Sequence, residues 1–303
     1  MGYCIQRRIS LLKGIVATTI RQGFQELKLN LEITELQEST VSNRQQNVRD
    51  TVEKEMDVLD SFLTGSYRRN TLIAPLSDAD VDIFIVLSSK YYSPDGHASL
   101  LDNLKRGLRK TYPKTPDISR NGQAVTITFT DFKVDVVPAL NRQGGGYLIP
   151  DSILKRWIST DPKRHVEIWS SHNKSHKGDL IPLIKMTKGW NKRHNSIFRS
   201  FHLEALVLQI LTNVTISNFP SGIRYVFDRA RTHIQFPVRD PTGYGGHVGA
   251  YLDTRSKIND VSSRLETAYN RAVEAEQLDL KGMPQQAFEK WRLIFGDYFP
   301  AYG

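Results

Sequence analysis

Acidic residues embedded in apolar, strand-forming runs constrain this chain more than any other feature. Asp80-Val81-Asp82 leads directly into IFIVL, and a third acid, Asp135, sits inside FKVDVVPAL. A carboxylate placed within such a run is costly unless it is paired or bound to a metal. Residues two apart on a strand project from the same face, so Asp80 and Asp82 present their oxygens together. Gly65-Ser66 stands upstream, separated from Asp80 by thirteen residues. The glycine allows a phosphate to approach the backbone closely, and the Ser66 hydroxyl and neighbouring amides can donate to it.

This combination points to nucleotidyl transfer. A ribose hydroxyl attacking a nucleotide α-phosphate needs deprotonation, and the pyrophosphate leaving group needs neutralising. Two Mg²⁺ ions ~3.5–4 Å apart supply both, and Mg²⁺ takes a few carboxylates while keeping phosphate and water as further ligands. The expected cofactor is therefore a pair of Mg²⁺ ions, with Mn²⁺ as an alternative, held by Asp80, Asp82 and Asp135. Asp78 forms a second Asp-x-Asp pair with Asp80. The flanking Val81 and Ile83 favour Asp80 and Asp82 as ligands and leave Asp78 in the preceding turn.

At 303 residues the chain can bury a large core as one domain or two joined lobes. No apolar run reaches the ~18–20 residues needed to span a bilayer, and Lys13 interrupts the apolar N-terminal stretch, which argues against a secretory signal. With Cys4 as the only cysteine, an internal disulfide and a cysteine-rich zinc site are both excluded. A cytoplasmic protein without membrane attachment is expected. The net charge of +9 is unevenly spread: residues 155–199 hold eleven Lys/Arg against three Asp/Glu. That stretch is either a solvated face or a field for a polyphosphate, a nucleic acid or an acidic partner.

Hydrophobic periodicity predicts helices over residues 1–57, with Leu11, Leu12, Ile15 and Val16 in one and Val48, Val52 and Met56 in another, broken near Leu29-Asn30-Leu31. Strands are expected at Val58–Leu63, Val81–Leu87, Ala124–Phe129 and Phe132–Leu140, with a helix over 97–112. Beyond the Gly144-Gly145-Gly146 loop the pattern turns mainly helical, clearest at 180–193, 200–211, 255–277 and 287–296. Ser200 is the expected N-cap of the second of these. The boundary places N-terminal helices and a catalytic lobe in residues 1–150, and a mainly helical lobe in 151–303.

GSYRRNTLIAPLSDADVDIFIVL followed by VDVVP resembles the polymerase β-type nucleotidyltransferase core. The upstream FLTGSY, WISTDPKRH, LIKMTKGWNKR, SFHLE, DPTG and the closing W-R-x-I-F-G-x-Y-F-P narrow the resemblance to the bacterial cGAS/DncV-like nucleotidyltransferases (CD-NTases), over nearly the whole chain. The resemblance implies an α+β fold: a polymerase β-like lobe with a mixed sheet and long N-terminal helices, joined to an α-helical lobe similar to that of oligoadenylate synthases. It implies synthesis of a cyclic di- or trinucleotide from nucleoside triphosphates, ATP among them. The product would act on a downstream effector in anti-phage (CBASS) signalling, and a regulatory protein partner is possible in such systems.

By motif position the resemblance also implies that Lys188 and Ser200 contact the donor triphosphate and that Phe201 stacks on a base. On the residues alone, Lys188 is a surface lysine or a phosphate contact, with Lys185 on a similar face able to replace it. Ser200 is a cap or a ligand contact, and Phe201 is core or a stacking platform. Animal relatives carry a zinc-binding insertion used with DNA. Nothing comparable is present here, so direct DNA activation is not expected. His172 and His176 read as loop histidines and His202 as a satisfied core histidine. The competing readings are a nucleotidyltransferase that makes linear products or modifies RNA, protein or a small molecule, and an inactive nucleotide-binding regulatory module.

Overall fold

The computed structural model describes residues 16–115 and 117–303. Leu11, Leu12 and Ile15 of the first expected helix, and Cys4, lie outside the described residues, whereas Val16, expected in the same helix, is exposed and not helical. Helix α1 (Ile20–Asn30) and helix α2 (Glu35–Glu53) each begin with a threonine capping box, Thr19 with Gln22 and Thr34 with Gln37. Strand β1 (Val58–Leu63) follows, then a single helical turn α3 (Gly65–Arg68), strand β2 (Asp80–Leu87) and helix α4 (His97–Thr111).

Strands β3 (Ile118–Asn121), β4 (Ala124–Thr128), β5 (Lys133–Asn141), β6 (Tyr147–Asp151) and β7 (Arg156–Thr160) complete a seven-stranded sheet. Its path is β1-β2-β5-β4-β3, with β6 on β5 and β7 on β6. The β2–β5 pair is parallel and the others are antiparallel. The fold is thus α+β with a mixed sheet.

Alternation sets which residues face the site. On β2, Val81, Ile83, Ile85 and Leu87 enter a core formed with α2 and α4, whose Leu100, Leu101, Leu104 and Leu108 make one apolar stripe. Phe84 and Val86 belong to the opposite face, with Val137 and Ala139 of β5 and Ala124 of β4. Period two therefore puts Asp80, Asp82 and Asp135 on this second face, away from the helices.

The remaining chain forms helices α5 (Pro162–Ser175), α6 (Leu180–Arg193), α7 (Ser200–Leu211), α8 (Phe219–His233), α9 (Arg255–Leu280) and α10 (Pro284–Phe295). They share a core containing Trp169, Trp190, Trp291 and Phe227. Two segments cross the division expected at residue 150. Helix α1 buries Phe24 and Leu27 in the helical core, with Phe24 edge-on to Trp291 at 4.8 Å. Strands β6 and β7 extend the sheet to Thr160, where a change to helix was expected after the glycine loop. Strand β7 is nowhere fully buried, so its sequence carries little apolar alternation. Among the described residues no helix is long and apolar enough to cross a membrane.

Candidate active site between the sheet and the helical lobe

A cavity of about 810 Å³ lies between the second sheet face and helices α6 and α7. Gly65, Ser66, Asp80, Asp82, Asp135, Lys188, Ser200 and Phe201 all line it, so every residue expected at the site reaches one cavity. Asp82 and Asp135 are direct partners in the parallel β2–β5 register. The Asp135 carboxylate accepts a 2.5 Å hydrogen bond from the Thr126 hydroxyl on the neighbouring strand. Among the described residues no three acidic or histidine side chains are gathered tightly enough to form a ready-made metal cage. The carboxylates line the cavity without closing on one point.

The electrostatics of these carboxylates is unfavourable without a counter-charge. Burial, then the negative charge of Asp135, push the Asp82 carboxyl up to about 7, although Arg69 pulls the other way. Asp135 is also raised, by burial first and by Asp80, against the pull of its Thr126 hydrogen bond. Three hard oxygen donors with too little positive charge among them fit divalent cations, which would relieve both desolvation and mutual repulsion.

Gly65 is required at its position. It has φ +62°, and a Cβ there would fall 1.7 Å from Asp82 Oδ2. The backbone turn and the acidic end of β2 are thus in direct contact. Thr64 N–H donates to the Asp82 carbonyl at 2.9 Å, and the Ser66 carbonyl accepts from the amides of Thr71 and Leu72 at 2.9 and 3.1 Å. The turn curls back on itself with the Ser66 side chain at the cavity wall.

Behind the turn lies a buried ionic group that reading the sequence did not find. Arg69 Nε donates to Glu204 Oε2 at 2.9 Å. Lys188 Nζ donates to Glu204 Oε1 at 3.1 Å and to the Thr71 carbonyl at 2.7 Å. Burial alone would raise the Glu204 carboxyl, but Arg69 and Lys188 hold it well below the usual carboxylate range. Burial lowers Lys188, with Glu204 opposing the shift and Arg69 adding to it. Two cations share one carboxylate, which leaves a net positive charge at this wall and joins α6 and α7 to the turn. The signal was available: Glu204 is a lone acid inside SFHLEALVLQIL, next to Leu203, Ala205, Leu206, Val207 and Leu208, all of them buried.

The other expected residues divide. Lys185 pairs with Glu32 at 2.5 Å and lies outside the cavity lining, so it does not replace Lys188. Ser200 is not the N-cap of α7. Arg199 occupies that position, without a side-chain cap bond, and Ser200 is the exposed first helical residue. Phe201 packs parallel to Trp169 at 5.9 Å, edge-on to His165 at 4.9 Å, and under the Arg69 guanidinium at 5.1 Å. Asp78 lies in a 3₁₀ turn and pairs with Lys192 at 2.9 Å. His172 lies within α5 and His176 caps its C-terminus, bonded to the His172 and Leu211 carbonyls, rather than in a loop. His202 is buried and only half satisfied: Nδ1 meets the Tyr251 hydroxyl at 2.9 Å, while Nε2 has no partner.

A mixed sheet carrying paired acids beside a Gly-Ser turn, facing a helical lobe across a polar cavity, defines a nucleotidyltransferase. The profile of the family described as "Second Messenger Oligonucleotide or Dinucleotide Synthetase domain" matches residues 18–173. The chain belongs to that family, the bacterial cGAS/DncV-like nucleotidyltransferases.

It is 25% identical over 304 residues to a cyclic AMP-AMP-AMP synthase of an Acinetobacter species, covering 93% of this chain and 86% of the relative. It is 24% identical over 216 residues to the CBASS oligonucleotide cyclase CdnC of Escherichia coli, covering 66% and 68%. The structure of an E. coli MS115-1 CdnC complex with a HORMA protein superposes with a TM-score of 0.72 at 18% identity, over 91% of this chain and 96% of that one. Members of this family are generally metal-dependent.

Proposed function

We propose that this protein joins nucleoside triphosphates, ATP among them, into a cyclic di- or trinucleotide second messenger in anti-phage (CBASS) signalling. The observation that carries the reading is the set of three carboxylates and the Gly65-Ser66 turn lining one cavity with Lys188 and Ser200. A ribose hydroxyl of the acceptor attacks the donor α-phosphorus. The new O–P bond forms, the bond to the β-phosphate oxygen breaks, and pyrophosphate departs while the hydroxyl proton is lost. Repetition and a final intramolecular transfer close the ring.

Asp80, Asp82 and Asp135 are the residues to hold two Mg²⁺ ions, with Mn²⁺ as an alternative. Bound there, the ions would acidify the attacking hydroxyl and neutralise the pyrophosphate. Gly65, Ser66 and Ser200 border the donor triphosphate, and the positive charge around Lys188 faces it. Phe201 supplies an aromatic wall for a base.

The relatives named above support ATP as a substrate and a HORMA-like protein as a regulatory partner. A downstream effector would read the product, and the setting would be cytoplasmic. Double-stranded DNA is not expected to activate the enzyme. Incubation with ATP, GTP, CTP, UTP and Mg²⁺, followed by phosphatase treatment and mass spectrometry, tests the reading. A phosphatase-resistant cyclic product supports it, whereas only linear, phosphatase-sensitive products contradict it.

A further inference from the structure

The cavity extends beyond the three acids along the sheet face, over Val137, Ile149 and Ile158, and reaches Gln123. This end offers an apolar floor bordered by the Gln123 amide and, beside Ile158, by Ser159 and Thr160. Thr126 is opposite Asp135 in the β4–β5 register, and Gln123 lies three residues earlier in the chain, in the turn that leads into β4. That is roughly 10 Å of extended chain, comparable to the reach from a ribose hydroxyl to the far edge of its base.

The orientation of the Gln123 amide is set by its neighbours. Gln123 Nε2 donates to Asp151 Oδ2 at 3.0 Å. Asp151 is buried, and its other oxygen accepts the amides of Ile153 and Leu154 at 2.9 and 2.8 Å. With the NH₂ donating to Asp151, the amide oxygen is the group left without a hydrogen-bond partner among the described residues. The backbone is also held. Gly122, at φ +61°, has its carbonyl bonded by both the amide and the hydroxyl of Ser152, at 2.9 and 2.7 Å.

We infer that Gln123 reads the base edge of the acceptor nucleotide through this oxygen and favours a base that offers an N–H donor there, such as the exocyclic amine of adenine. The inference rests on the nucleotidyl-transfer reading of the same cavity. A site built to accept a hydrogen bond rejects the analogue that lacks the donor.

The test supplies the full-length protein and Mg²⁺ with equimolar ATP and purine riboside triphosphate, which lacks only the amine. The first linear dinucleotide is analysed by mass spectrometry at short times. Its 5′-triphosphate nucleoside is the acceptor, because the acceptor keeps its triphosphate while the donor loses pyrophosphate. The wild type is expected to prefer adenosine at that position by roughly 3–10-fold, the worth of one neutral hydrogen bond. Gln123→Leu is expected to bring the ratio near one while leaving the donor position unchanged. An acceptor ratio that is the same in both proteins, or a change confined to the donor position, overturns the role of Gln123 and leaves the transferase intact. Wild-type protein that forms no dinucleotide from any triphosphate overturns the transferase reading and this inference with it.

Discussion

Asp82 on β2 and Asp135 on β5 are direct partners across the parallel pair, and the charge of Asp135 adds to burial in raising the affinity of Asp82 for protons or cations. The arrangement stores repulsion that a bound cation would release. It follows that the site is a source of instability in the absence of metal and that substitution there separates function from folding.

Asp82→Asn is expected to reduce turnover by at least ~10³-fold, since it removes a ligand where charge neutralisation supplies much of the catalysis. The same change should leave the melting temperature in EDTA equal to or above that of the wild type, because a buried, repelled charge is gone. Thermal denaturation alongside product assays checks both. A variant that keeps turnover, or that loses it only by unfolding, would contradict the metal assignment.

The pH dependence follows from the same pair. Asp82 has a folded-state value of about 7, above the ~3.9 of an unfolded aspartate. The folded state therefore binds the proton more tightly. Stability contributed by that proton is full below ~4, falls as pH rises, and is lost above about 7. In EDTA the wild-type melting temperature should decline across pH 4–7 more steeply than that of Asp82→Asn, and Mg²⁺ should flatten the difference by pulling the carboxyl back down. Parallel curves for the two proteins would show that Asp82 is not perturbed.

Gly65→Ala should fold and fail to turn over. The substituted residue would be strained at φ +62°, and its methyl would collide with Asp82 Oδ2, which the structure places 1.7 Å from the ideal Cβ position. Strain in this φ region costs on the order of 1–3 kcal/mol, affordable for a chain of this size, but the carboxylate must move. Activity is expected to drop by ~10²-fold or more with an unchanged circular dichroism spectrum. Near wild-type rates would show that the turn does not position the acids.

Much of this site was legible in the sequence because its key residues obey local rules. Period-two alternation gives Asp80 and Asp82 one face, and an apolar environment makes a lone Asp135 conspicuous. What escaped were relationships between distant segments. The partner of Glu204 is Arg69, 135 positions away, and nothing local marks that arginine among its neighbours. Strands β6 and β7 escaped because their pairing is set by the sheet they extend rather than by their own composition. The assignment of Ser200 as a cap failed by one residue, a displacement that side-chain identity alone does not resolve.

The buried ionic group makes the sharpest test of how α6 and α7 are tied to the catalytic turn. Glu204→Gln leaves Arg69 and Lys188 facing each other in a dry interior, and removing one member of a buried pair costs ~3–5 kcal/mol. Lys188→Met removes one of two cations and leaves the Arg69–Glu204 pair at 2.9 Å intact, so its stability cost should be clearly smaller while the KM for triphosphate rises. Ser200→Ala provides the contrast. With Arg199 at the cap, its melting temperature should stay near wild type, and KM should rise about 2–10-fold for one lost hydrogen bond. Chemical denaturation and steady-state kinetics on the three variants separate these roles. A Lys188→Met protein as unstable as Glu204→Gln would make Lys188 a structural cation, and an unstable Ser200→Ala would restore the hydroxyl to a capping role.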